Sequence, residues 1–269
     1  MALHIVCCVK QVPDPETPAS AFKVDEGAKK VIPAPGISPV ISQFDAIAVE
    51  AALRIRDAKG EGKITVLSLG PQSARDAIKV GLAMGADEGL LLDDAALFDG
   101  DGYSTALALS EAIKKIGSVD LVLCGRQAVD WDFGVTGLAI AELLGLPSIS
   151  ITRSVTVTDG KVQGDRVLGD SYEKVEVPLP AVVTVSNELG EPRYPKLPQI
   201  MAAARKQVTV WTAADLGLSA DQVGKAGARL ILERLFVPKV EGKCEFIEGD
   251  TPEEMAATLA RKLREAKLI

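Results

Sequence analysis

The sequence predicts an α/β protein in which helices cover both faces of a mostly parallel sheet. Short apolar runs alternate with longer amphipathic segments as far as Gly145, and this alternation is typical of βαβ units. The predicted helices end at Gly60, Gly85, Gly117 and Gly145, positions where glycine is favoured because it adopts the left-handed conformation without strain. An antiparallel extension and a C-terminal arm are expected to follow.

Strands and helices are predicted in pairs along the parallel part of the chain. The strands are nearly continuous apolar runs, as expected for strands buried on both faces. They are expected at 3–10, 63–70, 88–94 and 119–125. The helices are amphipathic, with apolar residues three and four positions apart. They are expected at 44–60, 73–85, 103–117 and 134–145.

After Pro147 the chain changes to strand-like runs separated by the turn signals Asp159-Gly160 and Gly169-Asp170, which predict antiparallel hairpins. A proline-rich segment then leads to a short strand, VTVW, a short helical stretch near 213–218 and a last helix from about Thr251. We therefore divide the chain into an α/β domain, 1–186, and a remainder, 187–269. The remainder lacks the apolar content for a core of its own and should pack on another protein.

Composition argues against several classes of function. The formal net charge of −7 leaves no excess of Lys and Arg to neutralise the phosphates of a nucleic acid, although a single nucleotide remains compatible. His4 is the only histidine, so a histidine-based triad or multi-histidine metal site is impossible within this chain. The four cysteines show no zinc spacing, and no metal site is predicted. Because no signal peptide or membrane span is seen, we expect a cytoplasmic protein.

Candidate binding residues collect at one edge of the predicted sheet. In open parallel sheets, ligands bind beyond the carboxyl ends of the strands, where the strand order reverses. Four segments are expected there, namely Cys8-Val9-Lys10, Leu69-Gly70-Pro71, Ser42–Asp45 and GRQAVDWDFGVTG, residues 125–137. The last of these joins a strand to a helix and is long for such a connection.

The start of the helix near Gly134 has the features of a phosphate site. Its first amides point outward at the positive end of the helix dipole, and Thr136 adds a hydroxyl. The alternative is a helix end capped by its own loop, with Trp131 as a packing residue. Lys10 and Arg126 could bind a phosphate, or they could be salt-bridged or solvated. Neither GxxxxGK[ST] nor GxGxxG occurs to decide between these alternatives.

Four stretches together carry a family resemblance. They are VKQVPD (9–14), GLAMGAD (81–87), GRQAVDWDFGVTG (125–137) and VPLPAVVTVSNELGEPRYPKLPQIMAA (177–203). With these stretches the chain resembles the β subunit of electron transfer flavoprotein over nearly its whole length. The fold that this implies, an adenine-nucleotide α-hydrolase-like α/β fold, agrees with the prediction from periodicity.

The resemblance implies a heterodimeric FAD-containing electron carrier rather than an enzyme, with no catalytic residues in this chain. The α subunit holds most of the FAD, and the β subunit supplies a wall of the flavin site and binds a structural AMP. The residues implied to contact AMP are Cys8, Ser42, Gln43, Phe44, Asp45, Leu69, Gly125, Arg126, Gln127, Ala128, Val129, Asp130, Trp131, Asp132, Phe133, Gly134, Val135 and Thr136. The loop is expected to be long because it wraps the whole nucleotide.

The resemblance also implies partners. Electrons would come from acyl-CoA dehydrogenases and pass to a quinone oxidoreductase at the membrane. A recognition loop is implied at 191–201, with Leu197 as its anchor, on a chain stiffened by prolines. The residues implied to contact the partner are Glu191, Arg193, Tyr194, Leu197, Ile200 and Met201. The remainder, 187–269, is then the recognition loop followed by an arm that packs on the α subunit.

Departures from the family pattern leave two other functions open. Ser42-Gln43-Phe44 stands where the family usually has Asn-Pro-Phe, and the bulky Trp131 and Phe133 replace smaller or polar residues. One alternative is the bifurcating type, in which a second FAD and NAD(H) replace AMP and the loop commonly reads DGDTAQVGP rather than DWDFGVTG. The other is a stand-alone nucleotide-binding regulator or hydrolase, which would not need the proline-rich segment.

Overall fold

A computed structural model of the chain describes residues 2–239, 242 and 244–269. Internal contacts divide the chain into two compact units, Met1–Leu235 and Phe236–Ile269. Residues 187–235, which the sequence analysis grouped with the C-terminal arm, belong to the larger unit. Within the described residues, no helix is both long enough and apolar enough to cross a membrane.

The larger unit is built of alternating strands and helices. The strands are β1 (His4–Cys8), β2 (Gln11–Val12), β3 (Lys23–Asp25), β4 (Lys30–Ile32), β5 (Val40–Ile41), β6 (Lys63–Leu69), β7 (Glu88–Leu92), β8 (Leu121–Gly125), β9 (Ser148–Thr158), β10 (Lys161–Leu168), β11 (Ser171–Pro178), β12 (Ala181–Val185) and β13 (Val208–Trp211). Its helices are α1 (Gln43–Lys59), α2 (Arg75–Met84), α3 (Gly102–Ile116), α4 (Thr136–Leu144), α5 (Leu197–Arg205) and α6 (Gly224–Gly227). The smaller unit contains α7 (Pro252–Glu265), capped by the hydroxyl of Thr251 as predicted.

The central sheet confirms the predicted fold class. In the described part of the chain it has nine strands in the order β11-β10-β9-β12-β8-β1-β6-β7-β13. Neighbours from β9 to β13 along this order run parallel, whereas β9, β10 and β11 form the predicted antiparallel extension. Two small two-stranded sheets, β2-β5 and β3-β4, lie outside it, in a stretch where the sequence predicts no element.

Alternate residues of β1 enter two separate cores. Ile5 and Cys7 pack in the core beneath α1 and α2, while Val6 and Cys8 pack in the core beneath α3 and α4. Both cores are dry and mostly aliphatic, as the low aromatic content of the chain predicts. Burying one such side chain contributes about 1.5–3 kcal/mol to the stability of the fold. The two cores therefore hold the parallel strands in place, and the loops at the strand ends start from fixed positions.

The hairpins after Pro147 follow their turn residues. Asp159 and Gly160 have φ values of 52° and 74°, the left-handed pair that a two-residue hairpin needs between strands of right-handed twist. The strand β12 differs from expectation, because it returns to lie parallel between β9 and β8. Its run AVVTV is buried throughout, which is typical of a central parallel strand.

Gly125, the last residue of β8, allows α1 to approach the sheet closely. A Cβ atom at this position would lie 2.5 Å from Oδ1 of Asp45 and 2.7 Å from the backbone carbon of Phe44. We expect Gly125→Ala to lower the free energy of unfolding by about 1–3 kcal/mol, because α1 must shift away from the sheet. Urea unfolding measures this change.

Gly169→Ala is the matched control. Nothing lies within 4 Å of a Cβ atom at Gly169, in the turn between β10 and β11, so its unfolding curve should stay close to that of the unsubstituted chain. Equal stability of both variants would show that the start of α1 moves without cost.

Candidate functional site

The strand order reverses between β1 and β8. The chain passes from β1 outward through β6 and β7 and then returns to place β8 on the other side of β1. Cys8 and Cys124 stand opposite each other near the carboxyl ends of these two strands. Such a reversal leaves a crevice at the carboxyl edge of the sheet, where α/β proteins bind their ligands. The predicted segments around Cys8, Ser42–Asp45 and 125–136 meet there.

A buried carboxylate ties three segments together at this edge. Asp45, in the first turn of α1, accepts hydrogen bonds from the backbone N–H of Lys10 (2.9 Å) and of Gly125 (3.1 Å). Asp45 is buried, and only 7% of its surface is exposed to solvent. Burial raises the pKa of Asp45 to about 7, against the lowering effect of the hydrogen bonds from Lys10 and Gly125. Asp45 therefore holds together the start of α1, the chain after β1 and the end of β8 at the crevice.

The loop between β8 and α4 is ordered by its own hydrogen bonds. The N–H of Asp132 donates to the carbonyl of Ala128 (2.9 Å), and the side-chain amide of Gln127 donates to the Asp132 carboxylate (2.8 Å). Asp132 and Gly134 have positive φ values of 52° and 64°. A Cβ atom at Gly134 would lie 3.2 Å from the carbonyl oxygen of Arg126, so the loop folds closely back on its own start.

The start of α4 lacks a side-chain cap. Val135 occupies the N-cap position and offers no side-chain hydrogen bond. The first helical backbone bond in this turn is donated by Ala139 to the Val135 carbonyl, so the preceding amides face outward at the positive end of the helix dipole. The alternative was a helix end capped by its own loop, and at the N-cap residue no side chain makes such a bond.

Two cations flank the helix start, in different states. Lys10 forms an ion pair with both carboxylate oxygens of Asp130 (2.9 and 2.7 Å). Arg126 stacks over the ring of Phe44 (5.3 Å) and donates to Gln127. Among the residues that the structure describes, no carboxylate pairs with Arg126. Lys10 is thus salt-bridged, one of its two predicted states, while Arg126 contacts a ring and a neutral amide.

The hydroxyls of Ser42 and Ser68 are buried near this edge with no hydrogen-bond partner among the described residues. Ser42 precedes α1, and its N–H donates to the Lys10 carbonyl (2.9 Å). An unpaired buried hydroxyl costs about 1–3 kcal/mol. Since the Ser42 hydroxyl is fully covered, a ligand reaches it only through a shift of the surrounding chain. Ser42 is one of the predicted site residues, whereas Ser68, one position before Leu69, is not.

The predicted recognition loop is partly helical. Leu197 begins α5, and Pro198 sits in the first turn, where proline is favoured because its missing N–H has no helical partner. The side chains of Tyr194 and Leu197 are 91% and 69% exposed, and Ile200 and Met201 are also exposed. The last part of the predicted loop, from Leu197 onward, is therefore helical, because a proline in the first turn starts a helix as well as keeping the segment out of a sheet.

Arg193 anchors this segment to α1. Its guanidinium donates to Glu50 (2.8 Å) and to Asp57 (2.9 Å), and Arg54 donates to the Glu191 carbonyl (3.3 Å). Burial would raise the pKa of Glu50, but hydrogen bonds from Arg193 and Arg54 hold that pKa below its ordinary value. The sequence analysis missed Glu50, although an acid inside the apolar run AVEAAL was a signal. Arg193 is therefore engaged within its own chain.

Comparison with known proteins identifies the family. The model of the electron transfer flavoprotein domain matches residues 36–216. The chain belongs to the electron transfer flavoprotein family. It is 38% identical over 260 residues to the electron transfer flavoprotein subunit beta of Thermoanaerobacterium thermosaccharolyticum, covering 96% of this chain and 97% of the relative. It is 35% identical over 275 residues to the same subunit of Megasphaera elsdenii, covering 99% and 100%.

A further relative belongs to a larger complex. Caffeyl-CoA reductase-Etf complex subunit CarD of Acetobacterium woodii is 37% identical over 267 residues, covering 99% of this chain and all of the relative. The resemblance to the electron transfer flavoprotein β subunit is thus confirmed, and with it a role in flavin-dependent electron transfer. A β subunit acts with an α subunit, so this chain is one half of a heterodimer.

The Asp45 carboxyl gives a prediction for pH dependence. Its pKa rises from 3.8 to about 7 on folding, so the folded state holds this proton more tightly than the unfolded state. The stability contributed by Asp45 is complete below about pH 4 and is lost as the pH rises to about 7. We expect the difference in unfolding free energy between the wild type and Asp45→Asn to fall over this range, by at most about 1.4 kcal/mol per pH unit.

Urea unfolding of both proteins between pH 4 and pH 8 measures this difference. The contributions of the other titrating groups to the unfolding free energy cancel in this difference, because both proteins contain those groups. A difference that stays constant with pH would show that the two N–H donors outweigh burial and keep Asp45 ionised throughout.

Proposed function

We propose that this chain is the β subunit of an FAD-containing electron carrier and that it binds a structural AMP in the crevice between β1 and β8. The observation that carries this proposal is the start of α4, which has no side-chain cap and follows a loop that brings the Arg126 backbone close to Gly134. Among the described residues, the Arg126 guanidinium contacts Phe44 and Gln127 and no carboxylate. Free amides at the positive end of a helix and a guanidinium are the groups that bind phosphate in proteins.

The residues of the crevice fit such a nucleotide. The amides at the start of α4, the Thr136 hydroxyl and the Arg126 guanidinium would hold the phosphate. Asp130 and Asp132 already have partners, in Lys10 and Gln127, which reduces their repulsion of an anion. AMP supplies no redox chemistry, so its role there would be to fill the crevice and to hold the 125–136 loop in place.

The redox group would be an FAD held mainly by the α subunit, with this chain as one wall of its site. Bound flavin can accept electrons from one protein and pass them to another. We propose that acyl-CoA dehydrogenases deliver these electrons and that a quinone oxidoreductase at the membrane receives them. The exposed side chains of Tyr194, Leu197, Ile200 and Met201 supply an apolar surface for the dehydrogenase.

The relationship to CarD favours a second candidate. As a subunit of a caffeyl-CoA reductase-Etf complex, that relative raises the alternative that this chain binds a second FAD and NAD(H) in place of AMP. The loop sequence DWDFGVTG, in place of the DGDTAQVGP common in the bifurcating type, supports AMP over this candidate. A stand-alone nucleotide-binding regulator or hydrolase fits less well, because it would not need the exposed apolar side chains of α5.

Nucleotide content distinguishes the two candidates. We expect the purified heterodimer, on denaturation, to release one FAD and one AMP, identified by chromatography against standards. Release of two FAD molecules per heterodimer would replace the proposal by the second candidate. The Arg126→Gln variant should lower AMP affinity about ten- to hundredfold, the effect of losing a charged hydrogen bond of about 1.5–3 kcal/mol.

Arg153→Gln is the control for this variant. Arg153 also stacks on an aromatic ring, that of Tyr172 (3.9 Å), but it lies in the antiparallel extension. Both variants lose a cation–π contact, and only Arg126→Gln should lose AMP. Equal AMP content in the two variants would contradict the assignment of Arg126 to the phosphate.

Leu197 provides a separate test of the partner. We expect Leu197→Ala to raise the apparent KM of an acyl-CoA dehydrogenase for this carrier about ten- to hundredfold, because one buried apolar anchor contributes about 1.5–3 kcal/mol. Flavin content and heterodimer stability should not change. Leu168→Ala, at an exposed leucine on β10, is the control, and its KM should equal that of the wild type. A Leu197→Ala variant with lower stability or lower flavin content, whose remaining loaded heterodimer has an unchanged KM, would make Leu197 a structural residue.

A further inference from the structure

The helix α5 needs support from the rest of the chain to keep its shape. It has nine residues, and helices shorter than about 12–15 residues are marginally stable in water by themselves. All nine residues are described, and Ala203 is the only one that is buried. Leu197, Ile200 and Met201 are exposed, so packing of the apolar face does not hold the helix. The contacts at the two ends of α5 therefore determine how firmly this face is held.

Lys79 of α2 caps the C-terminal end of α5. Its ammonium group donates to the backbone carbonyls of Ala203 (2.8 Å) and Ala204 (3.1 Å) and also to that of Lys206. The last four carbonyls of a helix have no partner within the helix, and a cation near them also interacts favourably with the negative end of the helix dipole. A lysine has three N–H donors, and these three carbonyls accept them. Lys79 is therefore a cap that a neighbouring helix supplies.

Lys206, the residue that follows α5, makes the reciprocal contact. Its ammonium group donates to the backbone carbonyls of Ala86 (2.7 Å) and Asp87 (3.2 Å), in the link between α2 and β7. Each of the two lysines thus reaches from its own segment to carbonyls of the other segment. Two such contacts in opposite directions limit both the sliding of α5 along α2 and the rotation of α5 about its own axis.

The residues before α5 are fixed independently of these lysines. Arg193 donates to Glu50 and Asp57 of α1, so the segment is tied to α1 before the helix and to α2 after it. Leu197 and Met201, four positions apart, lie on the same face of α5 between these two ties. Fraying from the C-terminal end would shorten the helix toward Met201 and disturb this face.

We propose that Lys79 is a positioning residue for partner docking: by capping α5 from α2, it keeps the apolar face of α5 ordered before the electron-donating protein binds. This inference rests on the proposed docking of a dehydrogenase at Leu197. A face that is already ordered does not have to be ordered on binding, and ordering one side chain at an interface lowers affinity about two- to tenfold. The effect of Lys79 is thus on the affinity of docking and is transmitted through α5.

Steady-state kinetics of the complete heterodimer test this inference. Lys79→Met keeps most of the length of the side chain and removes its three donors. We expect the apparent KM of an acyl-CoA dehydrogenase for this carrier to rise about two- to tenfold, with unchanged kcat and flavin content. Lys114→Met, which removes an ammonium group that donates to Glu111 within α3, is the matched control, and its KM should equal that of the wild type. A Lys79→Met variant with the KM of the wild type, or with a lower kcat as its only change, would overturn the inference.

A double variant shows whether Lys79 acts through the docking face. If it does, combining Lys79→Met with Leu197→Ala should raise the KM at least about twofold less than the product of the two single rises, because the two changes then affect one interaction. Two rises that simply multiply would show that Lys79 acts elsewhere, and the inference would be wrong.

Hydrogen exchange separates this inference from the proposed function, because it needs no dehydrogenase. The backbone amides of α5 should exchange about tenfold faster in the Lys79→Met heterodimer than in the wild type, the effect expected from the loss of one hydrogen bond to a charged group. Unchanged exchange would overturn the role of Lys79 and leave docking at Leu197 intact. Faster exchange, together with a Leu197→Ala variant that has the KM of the wild type, would make the docking proposal fail, and the role of Lys79 in docking with it.

Discussion

The geometry of the crevice depends on the carboxylate of Asp45. By accepting the N–H groups of Lys10 and Gly125, this one side chain joins the start of α1 to the ends of the two strands between which the strand order reverses. A neutral residue of similar shape could not accept both bonds as strongly, because hydrogen bonds to an ionised acceptor are about twice as strong. Burial opposes ionisation and outweighs these hydrogen bonds, because it raises the pKa of Asp45 to about 7. The absence of a Cβ atom at Gly125 makes this close approach sterically allowed.

The same contacts at the edge of the sheet determine where the charged side chains lie around the crevice. Acids outnumber cations along the 125–136 loop, yet Asp130 and Asp132 are each held by a neighbour, and Arg126 rests on Phe44 rather than on a carboxylate. In the proposed function, an anion in the crevice would meet the dipole of α4 and a guanidinium that forms no ion pair with any carboxylate of the described residues. This is how a chain with a net charge of −7 can present a local site for phosphate.

Much of the parallel part of the fold could be predicted, because each strand is a dry apolar run and each helix ends at glycine. Predicted and observed bounds of α1 differ by one residue at each end. The return of β12 into the parallel sheet could not be predicted. An apolar run predicts that a strand is buried, but it does not indicate which strands lie beside it. The path of the 125–136 loop depends on turns at Asp132 and Gly134, where φ is positive, and periodicity does not predict such turns. The pattern of strands placed Asp45, Lys10 and Gly125 at the same edge of the sheet, but the hydrogen bonds that join them come from tertiary contacts. Arg193 was predicted only through the family resemblance, and its partner Glu50 was not predicted.

The helix α1 carries contacts to both surfaces of interest, because Asp45 serves the crevice while Glu50 and Asp57 hold Arg193. At 1.5 Å per residue, Asp57 lies about 18 Å along the helix axis from Asp45. The insertion of one residue between Asp45 and Glu50 would turn everything beyond it by about 100° around the helix axis. Either the carboxylate at the crevice or the acids facing Arg193 would then point the wrong way. The solvent-exposed face of α1 can therefore change in composition without disturbing these contacts, whereas the length of α1 between these residues cannot change.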